Sequence, residues 1–432
     1  MKLKEKLLIF CLILSLGMLF SSMVFAQDII LKVTRAGYPE GSTKLFTKFQ
    51  EEYQKEHANV SFDMIETDWG TFHDRIGVWI RGKSEPDIYQ TSISEYAAFV
   101  EMGAYLPLDD IYDEDLKAVI PKNLLAPYRY NGKLYGIPGN AATFSFWYNK
   151  EIFKKAGLDP NKPPTNWDEL LEYAQQIVEN TDAYGIGLNL GRPEDMTQLL
   201  LGSLYYSATN TNFVDSTGRA LFNSPEGIKA IQFMVDLVNK YKVTQPNPEE
   251  YTKGDLRLLF RDGKTAMTFD GPWIMSLLKE VSDFSTAETC KFAIAAPPGS
   301  SIEGKEAMVS STTDPWVISA NTKNPEIAKD VLRELLTPKW QNEHNIAVNQ
   351  NPFRKDVIDT YDYENQWVWN VMSEDIANRS ILFNPQVPPG PTDAQIKQIL
   401  NDYVLRALFG EMTVEEAMNK AADEVNKLHG VK

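Results

Sequence analysis

Along residues 29–103 the apolar positions switch between two periods. Ile29, Leu31 and Val33 alternate, as do Val60, Phe62 and Met64, and residues 86–89 make a third short run; a period of two is that of a half-buried strand. Between these runs Leu45, Phe46, Phe49 and Tyr53, and then Phe72, Ile76 and Trp79, recur about one helical turn apart. Ser42 is placed to cap the first helix and Gly82 to stop the second, and residues 94–102 predict a third helix closed by Gly103. This β-α-β-α-β-α order implies a mostly parallel sheet with helices on both faces. Ligands of such sheets sit at the carboxyl ends of the strands, so the loops starting at Arg35, Thr67 and Gln90 should share one rim.

Residues 146–149 read as a short aromatic strand, followed by an amphipathic turn of helix closed by Gly157, a proline-rich loop, and a helix opened at Thr165 or Asn166. The pattern then starts again. Residues 184–188 and 264–269 read as strands, and Phe292, Ile294 and Ala296 alternate. Pro225 falls at the first position of a helix after Ser224, with Ile228, Ile231, Val235 and Val238 on its buried face. A second α/β lobe is the economical reading. Residues 316–320 form a further strand, Asn324-Pro325 begins a helix carrying Ile327, Val331 and Leu335, and Thr413 with Glu416 forms a capping box for the last helix.

The amino terminus follows neither pattern. Lys2, Lys4 and Lys6 precede an apolar run at residues 7–20, and Val24-Phe25-Ala26 offers small or apolar residues where a signal peptidase cuts. Cleavage is expected after Ala26, because a spanning helix needs roughly 20 apolar residues. Gln27 follows in place of the cysteine that takes a lipid, so an extracytoplasmic, unanchored chain is expected. Loss of the leader removes Cys11 and leaves Cys290 alone, so packing rather than a disulfide must hold the chain. The leader's three lysines and one glutamate carry +2, so the formal charge of −16 becomes −18. That excess repels phosphate backbones and anionic lipid, excluding nucleic acid and membrane surfaces as expected partners.

Tyr148-Asn149-Lys150, Ala156-Gly157-Leu158, Pro164 and Trp167-Asp168-Glu169 resemble the extracellular solute-binding proteins of ATP-binding cassette importers, in the sugar-binding family that includes maltose-binding protein. Phe260, Gly263-Lys264, Ala266-Met267 and Gly271-Pro272-Trp273 match a second pattern of that family. The resemblance implies a two-lobed periplasmic-binding-protein fold with three crossings between lobes. Each lobe would be a mixed, mostly parallel sheet flanked by helices. The lobes implied are 27–142 with 313–340, and 143–312 with 341–432. A carbohydrate ligand, an oligosaccharide, permease subunits as partners, a monomeric state and no catalysis are implied as well.

The chemistry of the side chains agrees with a binding role. His57, His73, His344 and His429 are far apart and form no two-histidine helical motif, and each reads as a surface or helix-end residue; Cys290 reads as a small core residue. No cofactor or metal set is expected. Gly263-Lys264-Thr265 lacks the earlier glycine of a phosphate-binding loop, since position 258 is Leu. Carboxylate pairs such as Asp109-Asp110 read as solvated surface rather than a glycosidase dyad. Aromatic residues make up 11% of the chain, with nine tryptophans, several beside loops. Such rings offer the flat apolar surface on which the C–H face of a sugar stacks.

Trp273 is the foremost candidate, because it matches the tryptophan that stacks on sugar in the resembled family, with Gly271 beside it. Trp69 stands at a strand-to-helix turn of the first lobe. Asp314 and Trp316 precede the returning strand. By loop position the resemblance adds Tyr38, Glu40, Thr91 and Ser92, and at the crossings Asn140, Phe144 and Arg354. The 384–392 stretch carries no tryptophan, where maltose-binding protein has a stacking one near its C-terminal helices. Two other readings stay open: a glycerophosphodiester or polyol phosphate held by Arg35 or Arg354, and an exported glycoside hydrolase.

Overall fold

A computed structural model of the chain describes residues 28–36, 39–67, 69–120, 122–348, 353–360, 365–378, 380–382 and 392–431. The leader, Tyr38 and residues 384–391 lie outside these. Among the described residues the strands form a five-stranded sheet, a four-stranded sheet, a three-stranded ribbon and a small hairpin.

The five-stranded sheet runs in the order Val60–Thr67, Ile29–Ala36, Ile88–Gln90, Pro315–Ile318 and Ile137–Pro138. The first three pair parallel, with Ile29 opposite Val60 and Ala36 opposite Thr67. Leu31 and Val33 point into one core with Phe46 and Phe49 of helix Pro39–Tyr53 and Phe72 and Ile76 of helix Trp69–Gly82, as their spacing predicts. The returning strand Pro315–Ile318 is antiparallel to both its neighbours, which makes this sheet evenly mixed. The helix expected to open at Ser42 begins at Pro39, a residue whose missing N–H costs nothing at a first helical position.

The four-stranded sheet has the order Phe292–Ala295, Ser145–Asn149, Thr265–Asp270 and Tyr184–Ile186. Its last pair is parallel, and Ser145–Asn149 is antiparallel to both neighbours. Both faces are covered. Phe146 and Tyr148 pack toward Leu170, Ile177 and Met234, whereas Trp147 between them packs toward Phe260, Phe292 and Met372. A strand buried on both sides loses the apolar-polar alternation and reads as the continuous aromatic run seen here.

Gly157 closes one helix of the central stretch and Asn166 opens the next, as expected. Asn149 caps helix Lys150–Ala156 by accepting from the N–H groups of Glu151 and Ile152 at 3.0 and 3.2 Å, and Gly157 closes it at φ 81°. Asn166 caps helix Trp167–Asn180, and Trp167 stacks on Phe233 with ring centroids 4.8 Å apart. Ser224 with Pro225 and Thr413 with Glu416 cap their helices as predicted.

The chain passes from the first sheet to the second through Ala142–Thr143 and returns through Val309–Thr312. These strands pair antiparallel, and Ser380–Leu382 adds to the second of them in parallel. The expected lobe boundary at residue 340 falls inside helix Pro338–Val348. Helix Pro338–Val348 packs on helix Pro39–Tyr53 so closely that a Cβ on Gly41 would lie 2.4 Å from the Ala347 carbonyl oxygen, and Trp340 and Phe353 belong to the first core. We therefore propose that the third passage follows Phe353.

Two residues read as surface or ligand groups are core. Trp316 is 1% exposed, with its ring edge-on to Phe46 at 6.0 Å and 6.1 Å from His344. A strand position that faces the helices cannot also face a ligand. His344, expected at the surface, is 2% exposed, and its Nε2 accepts from Arg35 Nε at 2.9 Å. Burial first, and the neighbouring guanidinium second, hold its pKa well below the ordinary imidazole value. Cys290 is buried as expected, and burial pushes its thiol pKa up.

Trp316→Ala should cost about 3–5 kcal/mol of stability, read by denaturant titration of the unliganded chain. For His344 the folded state stays neutral while the unfolded state takes up a proton below about pH 6.5. Its contribution to stability is full above that pH and falls below it by about 1.4 kcal/mol per pH unit. Urea titrations near pH 7 and near pH 5.5 measure the loss, and His344→Gln, whose amide oxygen can still accept from Arg35, should flatten it.

Candidate functional site

The carboxyl ends of the parallel strands in both sheets abut the crossing strands. In the first sheet Ile88–Gln90 ends at Thr91, whose N–H donates to the Pro315 carbonyl at 3.0 Å. In the second, Asp270 is paired with Ser145, the first residue of the strand that follows the outgoing crossing. The floor between them is the crossing itself. Asn140 Nδ2 donates to Asp314 Oδ2 at 3.2 Å while the Asp314 N–H donates to Asn140 Oδ1 at 3.0 Å. Gly139 keeps this floor thin, since a Cβ there would lie 2.0 Å from Gln90 Nε2 and 2.9 Å from the Asp314 carbonyl oxygen.

On the second lobe the wall is built around Asp270, 5% exposed. Arg257, on helix Lys253–Arg261, grips its carboxylate with two bonds of 2.6 and 2.9 Å. The Gly271 N–H donates to Oδ1 at 2.8 Å and the Trp273 indole Nε1 to the same oxygen at 2.6 Å. The indole folds back over the turn because Gly271 has no side chain: a Cβ would lie 2.3 Å from Trp273 Cζ2. Phe144 meets the indole edge-on at 5.5 Å, and Arg257 lies 5.8 Å from its centroid. Lys253 Nζ sits 5.2 Å from the Phe144 ring and 3.6 Å from Asp195 Oδ1. Trp273 stays partly exposed in this setting.

The sequence candidates therefore divide. Trp273, Gly271 and Phe144 form one wall; Asn140 and Asp314 form the floor; Thr91 and Ser92 lie buried at the end of the first-lobe strand that touches it. Trp316 lies beneath, in the core. Arg354 is elsewhere: 2% exposed, it is held by Asp356 at 2.8 and 3.0 Å, by Asp115 at 3.2 Å and by the Leu336 carbonyl at 3.0 Å. It lines a cavity of about 620 Å³ with Tyr53, Asp330 and Trp340, at the amino-terminal end of the first sheet and not at the carboxyl rim. Tyr38 lies outside the described residues, as do the side chains of Glu40 and Trp69.

Sequence reasoning missed Asp270, Arg257, Lys253 and Asp195, and at the floor Gln90 and Thr313. The Gln90 amide nitrogen and the Thr91 and Thr313 hydroxyls are buried with no protein partner among the described residues. Asp270 could have been suspected from its place at the end of a strand, directly before Gly271-Pro272-Trp273. Its partner Arg257, 13 residues earlier on another element, leaves no such signal. Among the described residues no group of three or more His, Cys, Asp or Glu side chains is placed to hold a metal ion. None of their helices is long and apolar enough to cross a membrane.

Known proteins are similar to this chain. A solved solute-binding protein of an ABC transporter from Thermotoga lettingae, bound with α-D-tagatose, is 27% identical and superposes with a TM-score of 0.80 over 93% of this chain and 100% of its own. An arabinooligosaccharide-binding protein of Halalkalibacterium halodurans is 24% identical over 365 residues, 80% of this chain and 77% of its own. The sn-glycerol-3-phosphate-binding periplasmic protein UgpB of Shigella dysenteriae is 25% identical over 403 residues, 86% of each chain. Residues 38–342 match the model of one family, and this chain belongs to it: the bacterial extracellular solute-binding proteins.

Proposed function

We propose that the chain is the extracytoplasmic binding component of an ABC sugar importer. It takes a carbohydrate, an oligosaccharide, between its lobes and delivers it to the permease subunits as a monomer, freed from its leader by cleavage after Ala26. The observation that carries this reading is the Trp273 indole, partly exposed and fixed by Asp270 beside the crossing. A fixed aromatic face suits the C–H face of a sugar ring, and the hydroxyl and amide groups of Gln90, Thr91 and Thr313 suit its hydroxyls. Contact with both lobes at once favours the closed state. No step of this function requires a catalytic group. The tagatose held by the Thermotoga protein and the arabinooligosaccharide relative support the ligand class.

The UgpB relative motivates a second reading, a phosphorylated polyol. A phosphate calls for cations ready to pair with it. Here Arg257 is engaged by Asp270, Lys253 stands beside Asp195, Arg35 is bonded to His344 and Arg354 is bound by two aspartates. Carboxylates already pair Arg257, Lys253 and Arg354, and the Arg35 guanidinium is engaged by an imidazole in the core, which favours the uncharged ligand.

Thermal shift of residues 27–432 across sugars, glycerol phosphates and amino acids tests the reading. The cognate sugar at about 100 times its dissociation constant should add roughly 2.7 kcal/mol of stability, and Trp273→Ala should cost about 2–4 kcal/mol of binding. A shift with phosphate esters alone would establish the second reading. Release of reducing ends at catalytic protein levels would establish a hydrolase instead.

A further inference from the structure

We propose that Asp270 is a positioning residue for the ligand-stacking ring, acting on the sugar through Trp273 and not by contact. The inference rests on the stacking role assigned to Trp273 above. One carboxylate receives four donors: two from Arg257, one from the Gly271 backbone and one from the indole. The last two share Oδ1, so the oxygen that sets the backbone turn also sets the ring orientation. Arg257 anchors the carboxylate from a neighbouring helix, which stops it from following the ring if the ring swings. Gly271 supplies the space into which the indole folds.

This geometry restricts recognition in a specific way. The indole N–H is engaged by Asp270, so Trp273 offers a ligand its face and no hydrogen bond. Such a ring selects for an apolar C–H surface, as on a pyranose or furanose. A ring already held before binding loses less side-chain freedom when the ligand arrives. Phe144, edge-on to the indole, closes the other direction in which it could turn.

The test uses the chain of residues 27–432 labelled with ¹⁵N, with Trp273→Phe identifying the Trp273 indole signal. Without ligand, Asp270→Asn should move that signal, because a charge-assisted bond becomes a neutral one; an unmoved signal would overturn the proposal. Calorimetry with D-tagatose, maltotriose and arabinotriose then reads affinity. Asp270→Asn should weaken binding of the best probe about tenfold, the effect of freeing one side chain. Gly271→Ala, which displaces the ring while leaving Asp270 and Arg257 in place, should weaken it similarly. In a Trp273→Ala background Asp270→Asn should have little further effect, whereas additive losses would show that Asp270 acts independently of the ring and overturn the proposal. Undiminished affinity in Trp273→Ala, or no probe bound by the unaltered chain, would overturn the stacking reading and the proposal with it. Loss in Trp273→Ala with undiminished affinity in both Asp270→Asn and Gly271→Ala would overturn the proposal alone.

Discussion

Backbone pairing between the two passages that join the sheets is the constraint on which the arrangement depends. The Phe144 N–H donates to the Ser310 carbonyl at 3.0 Å and the Gly139 N–H to the Asp314 carbonyl at 2.9 Å. Buried backbone groups need partners, and here the crossings satisfy one another instead of drawing on either core. Each lobe consequently keeps a core of its own, and rotation about the ribbon leaves both cores intact. The same ribbon brings the carboxyl ends of strands from both sheets to one place. Without it, Thr91 and Asp270 would belong to unrelated surfaces.

Electrostatics divides between the outside of the molecule and its interior. The formal charge of −16 is carried by a surface rich in carboxylates. Inside, charges are matched locally: Arg257 with Asp270, Arg354 with Asp356 and Asp115, Lys397 with Glu194. Burying an unpaired ion costs several kcal/mol, and each of these cations has an internal counter-ion. At the candidate site the Arg257 guanidinium is likewise engaged by the Asp270 carboxylate.

The Gly271-Pro272-Trp273 sequence acquires a physical meaning in this light. Glycine is needed because the indole lies where its Cβ would be, and the tryptophan follows a strand whose last residue receives the indole N–H. The motif is a ring mount. Its fourth member, Asp270, stands next to it in the chain, and its fifth, Arg257, does not.

Local chemistry determined the elements. Alternation and helical spacing, with helix starts at Asn166, Ser224 and Thr413, act within a few residues, so their outcome could be read directly. The residues of the central stretch and of Gly271-Pro272-Trp273 likewise carried the family. What faces what was decided by the tertiary structure. Trp316 and Trp273 both stand beside loops, yet a strand turns the first ring toward Phe46 while the turn after another strand leaves the second partly exposed. His344 looks like a surface residue in a polar stretch, and packing of helix Pro338–Val348 against the first lobe buried it. Contacts between residues 13 to 309 positions apart, such as Arg257 with Asp270 and Arg35 with His344, depend on how finished elements dock, and no periodicity in the chain records that.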